Sequence, residues 1–81
     1  MSFRDRLIRF IETDVVGKDD ASIEPEQSLL DDGLMDSIGL LRVIAFVESE
    51  TGVRIPDARV TPINFESVVA IESLVAELRD S

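Results

Sequence analysis

Asp36-Ser37-Ile38-Gly39-Leu40-Leu41-Arg42-Val43-Ile44-Ala45-Phe46-Val47-Glu48-Ser49-Glu50-Thr51-Gly52 reads as one helix with both ends marked. Asp and Ser are residues that cap helix starts, and Gly52 suits the left-handed residue that closes a helix. Between them Leu40, Leu41, Val43, Ile44, Phe46 and Val47 supply a broad apolar face, wide enough to call for neighbours on more than one side. This is therefore expected to be the central helix of an all-helical domain, running from Asp36 or Ser37 to about Thr51.

Toward the N-terminus, Phe3, Leu7, Ile8, Phe10, Ile11 and Val15 recur at three- and four-residue intervals, which is the helical period. They predict a first helix over Phe3 to Val16, with Ser2 as its cap, Asp5 three residues on and Gly17 as its stop. From about Gly17 to Met35 the chain carries Pro25, Gly33 and many acids, and it reads as a long connection with one short turn near Ser28 to Leu30. A loop of that length in a small domain is uncommon and usually functional. Ile23, Leu29, Leu30 and Leu34 are the expected anchors that hold it to the core.

Toward the C-terminus, Val53-Arg54-Ile55-Pro56 reads as an extended turn, and a short helical or irregular piece is expected around Pro62 to Phe65, where proline suits a first helical turn. Ser67 can cap a last helix that carries Val68, Ile71, Leu74, Val75 and Leu78 on one stripe, with Glu72 and Glu77 outward. The expected architecture is an all-α four-helix bundle with a long first loop and a short third helix. It reads as a single domain over residues 1–81.

The 81 residues contain no Cys and no His, which removes disulfides, thiolate or imidazole metal sites and Ser-His or Cys-His catalysis. A domain this small has little room for a deep catalytic cleft, so the chain is not expected to be an enzyme. Its formal charge is −9, and nine acids lie between Glu12 and Asp36 against the single base Lys18. Such a field repels nucleic acid and anionic membranes and steers basic protein surfaces toward Ser37. No apolar run approaches the length of a membrane span, so a soluble, monomeric cytoplasmic protein is expected. Asp31-Asp32-Gly33 with Asp36 resembles a calcium loop only superficially. Aligning Gly33 with that loop's glycine puts Leu30 and Gly39 where ligands belong, and no metal site is expected.

An isolated Asp-Ser is simply a cap. Here the likeness extends from about Leu29 to Leu78, through Gly33-Leu34-Met35-Asp36-Ser37-Ile38, Phe46-Val47-Glu48-Ser49-Glu50-Thr51-Gly52 and Val53-Arg54-Ile55-Pro56-Asp57. These segments resemble the acyl carrier protein family, in which the serine of an Asp-Ser-hydrophobic motif carries 4'-phosphopantetheine. The resemblance implies that Ser37 is the attachment point, with Asp36 beside the phosphodiester. It also implies a thioester-bound acyl or aminoacyl cargo and a magnesium-dependent phosphopantetheinyl transferase, since this chain has no general base for Ser37. Further implied partners are an adenylating ligase or acyltransferase that loads the arm and a synthase or transferase that unloads it.

Ile38, Arg42 and Ala45 recur at helical spacing and are the expected docking face, with Asp31 and Asp32 contributing charge. Fatty-acid members of the family typically have an acid where Arg42 stands, a departure that counts against a fatty-acid role. Val60-Thr61-Pro62-Ile63-Asn64-Phe65-Glu66-Ser67-Val68 and Ser37-Ile38-Gly39-Leu40-Leu41 look more like discrete carriers of bacterial secondary metabolism, of polyketide or nonribosomal peptide type, or like D-alanyl carriers. An alternative of another class is an unmodified acidic helical adaptor that binds a protein through the same face.

Overall fold

The computed structural model describes residues 2–17, 22–30 and 35–80. α1 spans Phe3–Phe10 and continues without a break as a π-helix over Ile11–Val16. α2 spans Ser37–Thr51, and α3 spans Val68–Asp80. A one-turn 3-10 helix, Asp57–Arg59, lies between the last two. The described residues are all-helical and contain no strand.

Each boundary has a local cause. Ser2 Oγ accepts from Asp5 N–H at 3.2 Å at the start of α1, and Gly17, at φ 76°, ends its π-helical continuation. Gly52 closes α2 at φ 70°, its N–H bonded to Glu48 O. Both glycines occupy the left-handed region, where a Cβ would be strained. Ahead of α3, Ser67 Oγ accepts from Ala70 N–H at 3.1 Å.

The short third helix expected around Pro62 to Phe65 is not there: that stretch forms hydrogen-bonded turns, Asn64 N–H to Thr61 O at 3.1 Å and Phe65 N–H to Pro62 O at 3.3 Å. The 3-10 turn lies earlier, at Asp57–Arg59, so the described residues hold three longer helices and one short turn of helix in place of the four-helix bundle. Pro56 presets the backbone before the 3-10 turn as Pro62 does before the later ones, so both stretches carry the same local signal.

The three α-helices share one core. Leu7 and Ile11 from the first, Val43 and Val47 from α2, and Val68, Ile71, Leu74 and Val75 from α3 are buried together with Ile55 and Phe65. The long connection adds Ile23, Leu29 and Met35 to that cluster, as expected of Ile23 and Leu29; Leu30 is half-buried, and Leu34 lies outside the described residues. Backbone groups fasten the loop as well. Ile23 N–H donates to Glu12 Oε2 at 3.0 Å. Leu29 N–H donates to Glu66 O at 2.7 Å, and Val69 N–H, in the first turn of α3, donates to Pro25 O at 3.0 Å. A helix start otherwise leaves such amides without partners, so the loop and α3 satisfy each other. With Met35 6% exposed, the end of the loop is held where α2 begins.

One expectation about burial fails. Leu41, read from the sequence as part of the core face, is 67% exposed. Val43 and Val47 take the buried stripe of α2 with Gly39, and Leu40, Ile44 and Phe46 flank it half-buried. Leu41 falls on the opposite side. Phe46 stacks on Phe10 with ring centroids 4.4 Å apart, an aromatic pair that joins α2 to α1 near the surface.

Candidate functional site

Asp36 has extended backbone, φ −99° and ψ −172°, and its carboxylate accepts from Gly39 N–H at 2.7 Å. Its carbonyl accepts from Leu40 N–H at 2.8 Å. Asp36 is therefore the helix cap that its residue type suggests, and it places Ser37 at the first residue inside α2 rather than at the capping position. Freed of that task, the exposed Ser37 hydroxyl has no hydrogen-bond partner among the described residues.

Electrostatics favour an anion here. Asp36 already takes the amides of Gly39 and Leu40, so the amides that a phosphate oxygen would meet at the positive end of the dipole are those of Ser37 and Ile38. Against this stands the Asp36 carboxylate, which repels a second negative group, although its bond to Gly39 N–H spends part of its charge inward. The residues present fit a phosphate ester on Ser37. The hydroxyl projects from a fixed turn, and no pocket is needed to hold a group bound covalently.

Beside Ser37, Ile38 is 66% exposed and Ala45 is exposed, so both are open to solvent. Leu41 joins them, four residues after Ser37 and three after Ile38, so Ile38, Leu41 and Ala45 form an apolar strip next to the hydroxyl. The sequence carried a signal for Leu41 in the apolar content of α2, which exceeds what one face buries. Arg42 is exposed on the same side, but its Nη1 donates to Asp14 O at 3.2 Å, near the end of the π-helix. It is thus also a contact between helices. Asp31 and Asp32 lie outside the described residues. Among the described residues no group of three or more acids could hold a metal ion, and no helix is long and apolar enough to cross a membrane.

Comparison with known proteins places this geometry. Residues 6–78 match the family model described as the phosphopantetheine attachment site. The chain belongs to this carrier-protein family. It is 38% identical over 55 residues to aminoacyl carrier protein 2 of Bradyrhizobium diazoefficiens, a match covering 68% of this chain and 61% of that protein. It is also 41% identical over 44 residues to the acyl carrier protein of Myxococcus xanthus, covering 54% of this chain and 56% of the relative. The chain thus spans somewhat over half the length of these curated relatives.

Among solved structures, the fold matches a chain in the crystal structure of Bradyrhizobium japonicum glycine:carrier protein ligase complexed with cognate carrier protein and an analogue of glycyl adenylate. That match has a TM-score of 0.72 at 30% identity and covers 94% of this chain and 99% of the other. Carrier proteins tether and present a group on phosphopantetheine, and they are not enzymes. The match of family and fold bears out the all-helical carrier reading.

Proposed function

We propose that Ser37 carries 4'-phosphopantetheine and that the chain presents an amino acid or acyl group, held on the arm as a thioester, to partner enzymes. The observation that carries this is the exposed hydroxyl, without a hydrogen-bond partner among the described residues, one residue inside a capped helix and within the stretch that matches the family. When attached, the arm supplies a thiol that keeps a carbonyl activated for transfer. Everything else falls to the chain itself. Asp36 fixes the first turn of α2, Ser37 offers its oxygen to a phosphopantetheinyl transferase, and tethering raises the concentration of cargo at each docked enzyme.

An adenylating ligase is the proposed loading enzyme and an amino acid the proposed cargo. This is supported by the aminoacyl carrier relative and by the likeness to a chain crystallised with a glycine ligase. The base at Arg42 agrees with a role outside fatty-acid synthesis. A cytoplasmic setting in bacterial secondary metabolism, with a synthase or transferase downstream, completes the proposal. Ile38, Leu41 and Ala45 are its docking strip, with Asp31 and Asp32 adding charge.

The test is intact-protein mass spectrometry after incubation with coenzyme A, magnesium and a broad-specificity phosphopantetheinyl transferase. The wild-type chain is expected to gain one phosphopantetheine unit and Ser37→Ala none. A folded wild-type chain that gains nothing from several transferases would point instead to the unmodified adaptor.

A further inference from the structure

Gly39 is a glycine in a helix without a conformational reason for being one. Among the described glycines, Gly17 and Gly52 have positive φ and Gly39 does not, and alanine is the better helix former. Space supplies the reason. A Cβ at Gly39 would lie 2.9 Å from Val15 Cγ1, 3.2 Å from Asp36 Oδ1 and 3.3 Å from Met35 Cγ. The first turn of α2 is thus seated directly on the π-helical end of α1, Ile11–Val16. Arg42 Nη1, bonded to Asp14 O at 3.2 Å, makes a second tie between the same two segments.

All three of those atoms bear on the attachment point. Asp36 Oδ1 is the atom that accepts from Gly39 N–H, so a side chain at position 39 crowds the very bond that sets where α2 starts. Val15 is β-branched and has one strongly preferred rotamer in a helix, so it yields poorly. Met35, just ahead of the cap, is buried and has little room to retreat. The carboxylate is the group left to move, and Ser37 is the next residue.

We infer that Gly39 is a positioning residue for Ser37. Its close seat on Val15 keeps the Asp36 cap in place, and the cap holds the hydroxyl at the angle from which the transferase takes it. This rests on the carrier reading above. The π-helix then has a task, since widening the end of α1 is what carries Val15 and the Asp14 carbonyl into the first turns of α2. π-Helical turns are rare and frequent at functional sites.

The experiment measures kcat/KM for phosphopantetheine transfer from coenzyme A to wild type, Gly39→Ala, Val15→Ile, and Val15→Ala with Gly39→Ala. All are assayed at a temperature where circular dichroism shows the variant folded, with exchange of the residue-39 amide followed by NMR. Gly39→Ala is expected to lower kcat/KM by about tenfold, within the range that a misplacement of about 1 Å can cost, and to speed exchange of that amide. Val15→Ile, which crowds the gap from the other side and leaves Gly39 intact, is expected to slow transfer too. The double variant, which makes room, is expected to recover most of the rate. Transfer to both crowded variants at the wild-type rate, or a double variant as slow as Gly39→Ala, would overturn the inference alone. A folded wild-type chain that no transferase modifies would overturn the carrier reading and this inference with it.

Discussion

At the start of α2 the Asp36 carboxylate accepts from Gly39 N–H at 2.7 Å, and at the start of α3 the Ser67 hydroxyl accepts from Ala70 N–H at 3.1 Å. Both are the same bond, from the amide three residues on. The residues next to the two caps differ. After Ser67, itself 9% exposed, comes Val68, which is fully buried; after Asp36 come Ser37, exposed, and Ile38, 66% exposed. The serine of α3 is consumed by the cap and by burial, while the serine of α2 is relieved of the cap by its neighbour and turned to solvent. A serine at a helix start is therefore not by itself a place for chemistry. On the proposed reading, the offset of one residue and the exposure of Ser37 are what make it one.

Substituting the residue after each cap should break this contrast most visibly. Val68→Ser removes buried methyls and buries a hydroxyl, and chemical denaturation is expected to show a loss of about 2–3 kcal/mol. Ser37→Val, one position after the other cap, should change stability by no more than about 0.5 kcal/mol, as for most exposed positions, yet it should accept no phosphopantetheine. Equal costs at the two sites would mean that burial does not separate them.

Removing the caps comes next in size. Asp36→Ala and Ser67→Ala should each cost about 1 kcal/mol in denaturant midpoint experiments, the usual value of such a bond. Only the first should slow modification of Ser37. Asp36→Asn sharpens the point, because asparagine caps as well as aspartate does. Stability should stay within about 0.5 kcal/mol of wild type, so any fall in transfer rate measures the negative charge and not the helix start.

The smallest stability effect belongs to the strip beside Ser37. Leu41→Gln at a site 67% exposed should shift unfolding by at most about 0.5 kcal/mol. Its expected effect is on docking: aminoacylation of the phosphopantetheinylated chain by an adenylating ligase should slow, while the helix content seen by circular dichroism stays unchanged.

Much of this architecture was legible in the sequence because its signals are local. Ser2, Gly17, Asp36, Gly52 and Ser67 mark helix ends through backbone geometry and hydrogen bonds made within a few residues. Ile23 and Leu29 stood out as apolar residues in an otherwise polar loop. Leu41 was misassigned because α2 is apolar around more than half its circumference, and one sequence does not say which apolar residues are kept outside. The π-helical end of α1 escaped because, over six residues, its wider turn leaves nearly the same apolar spacing as an α-helix. The close approach of Val15 to Gly39 joins residues far apart in the chain and has no local mark beyond a glycine inside a helix. Around Ser37, the Asp36 cap and the start of α2 at the next residue were readable from the residue types. The second engagement of Arg42, on the Asp14 carbonyl, could only come from the packing.

The most direct test of the central claim is to locate the modification. Tryptic cleavage after Lys18 and Arg42 leaves Ser37 on a peptide with Ser22 and Ser28, whereas Ser67 and Ser73 fall together on the peptide that ends at Arg79. Fragmentation of the phosphopantetheinylated chain by tandem mass spectrometry is predicted to find the added mass on Ser37 alone. The same mass on Ser67, or spread over several serines, would contradict the claim that a capped, uncovered helix start selects the site.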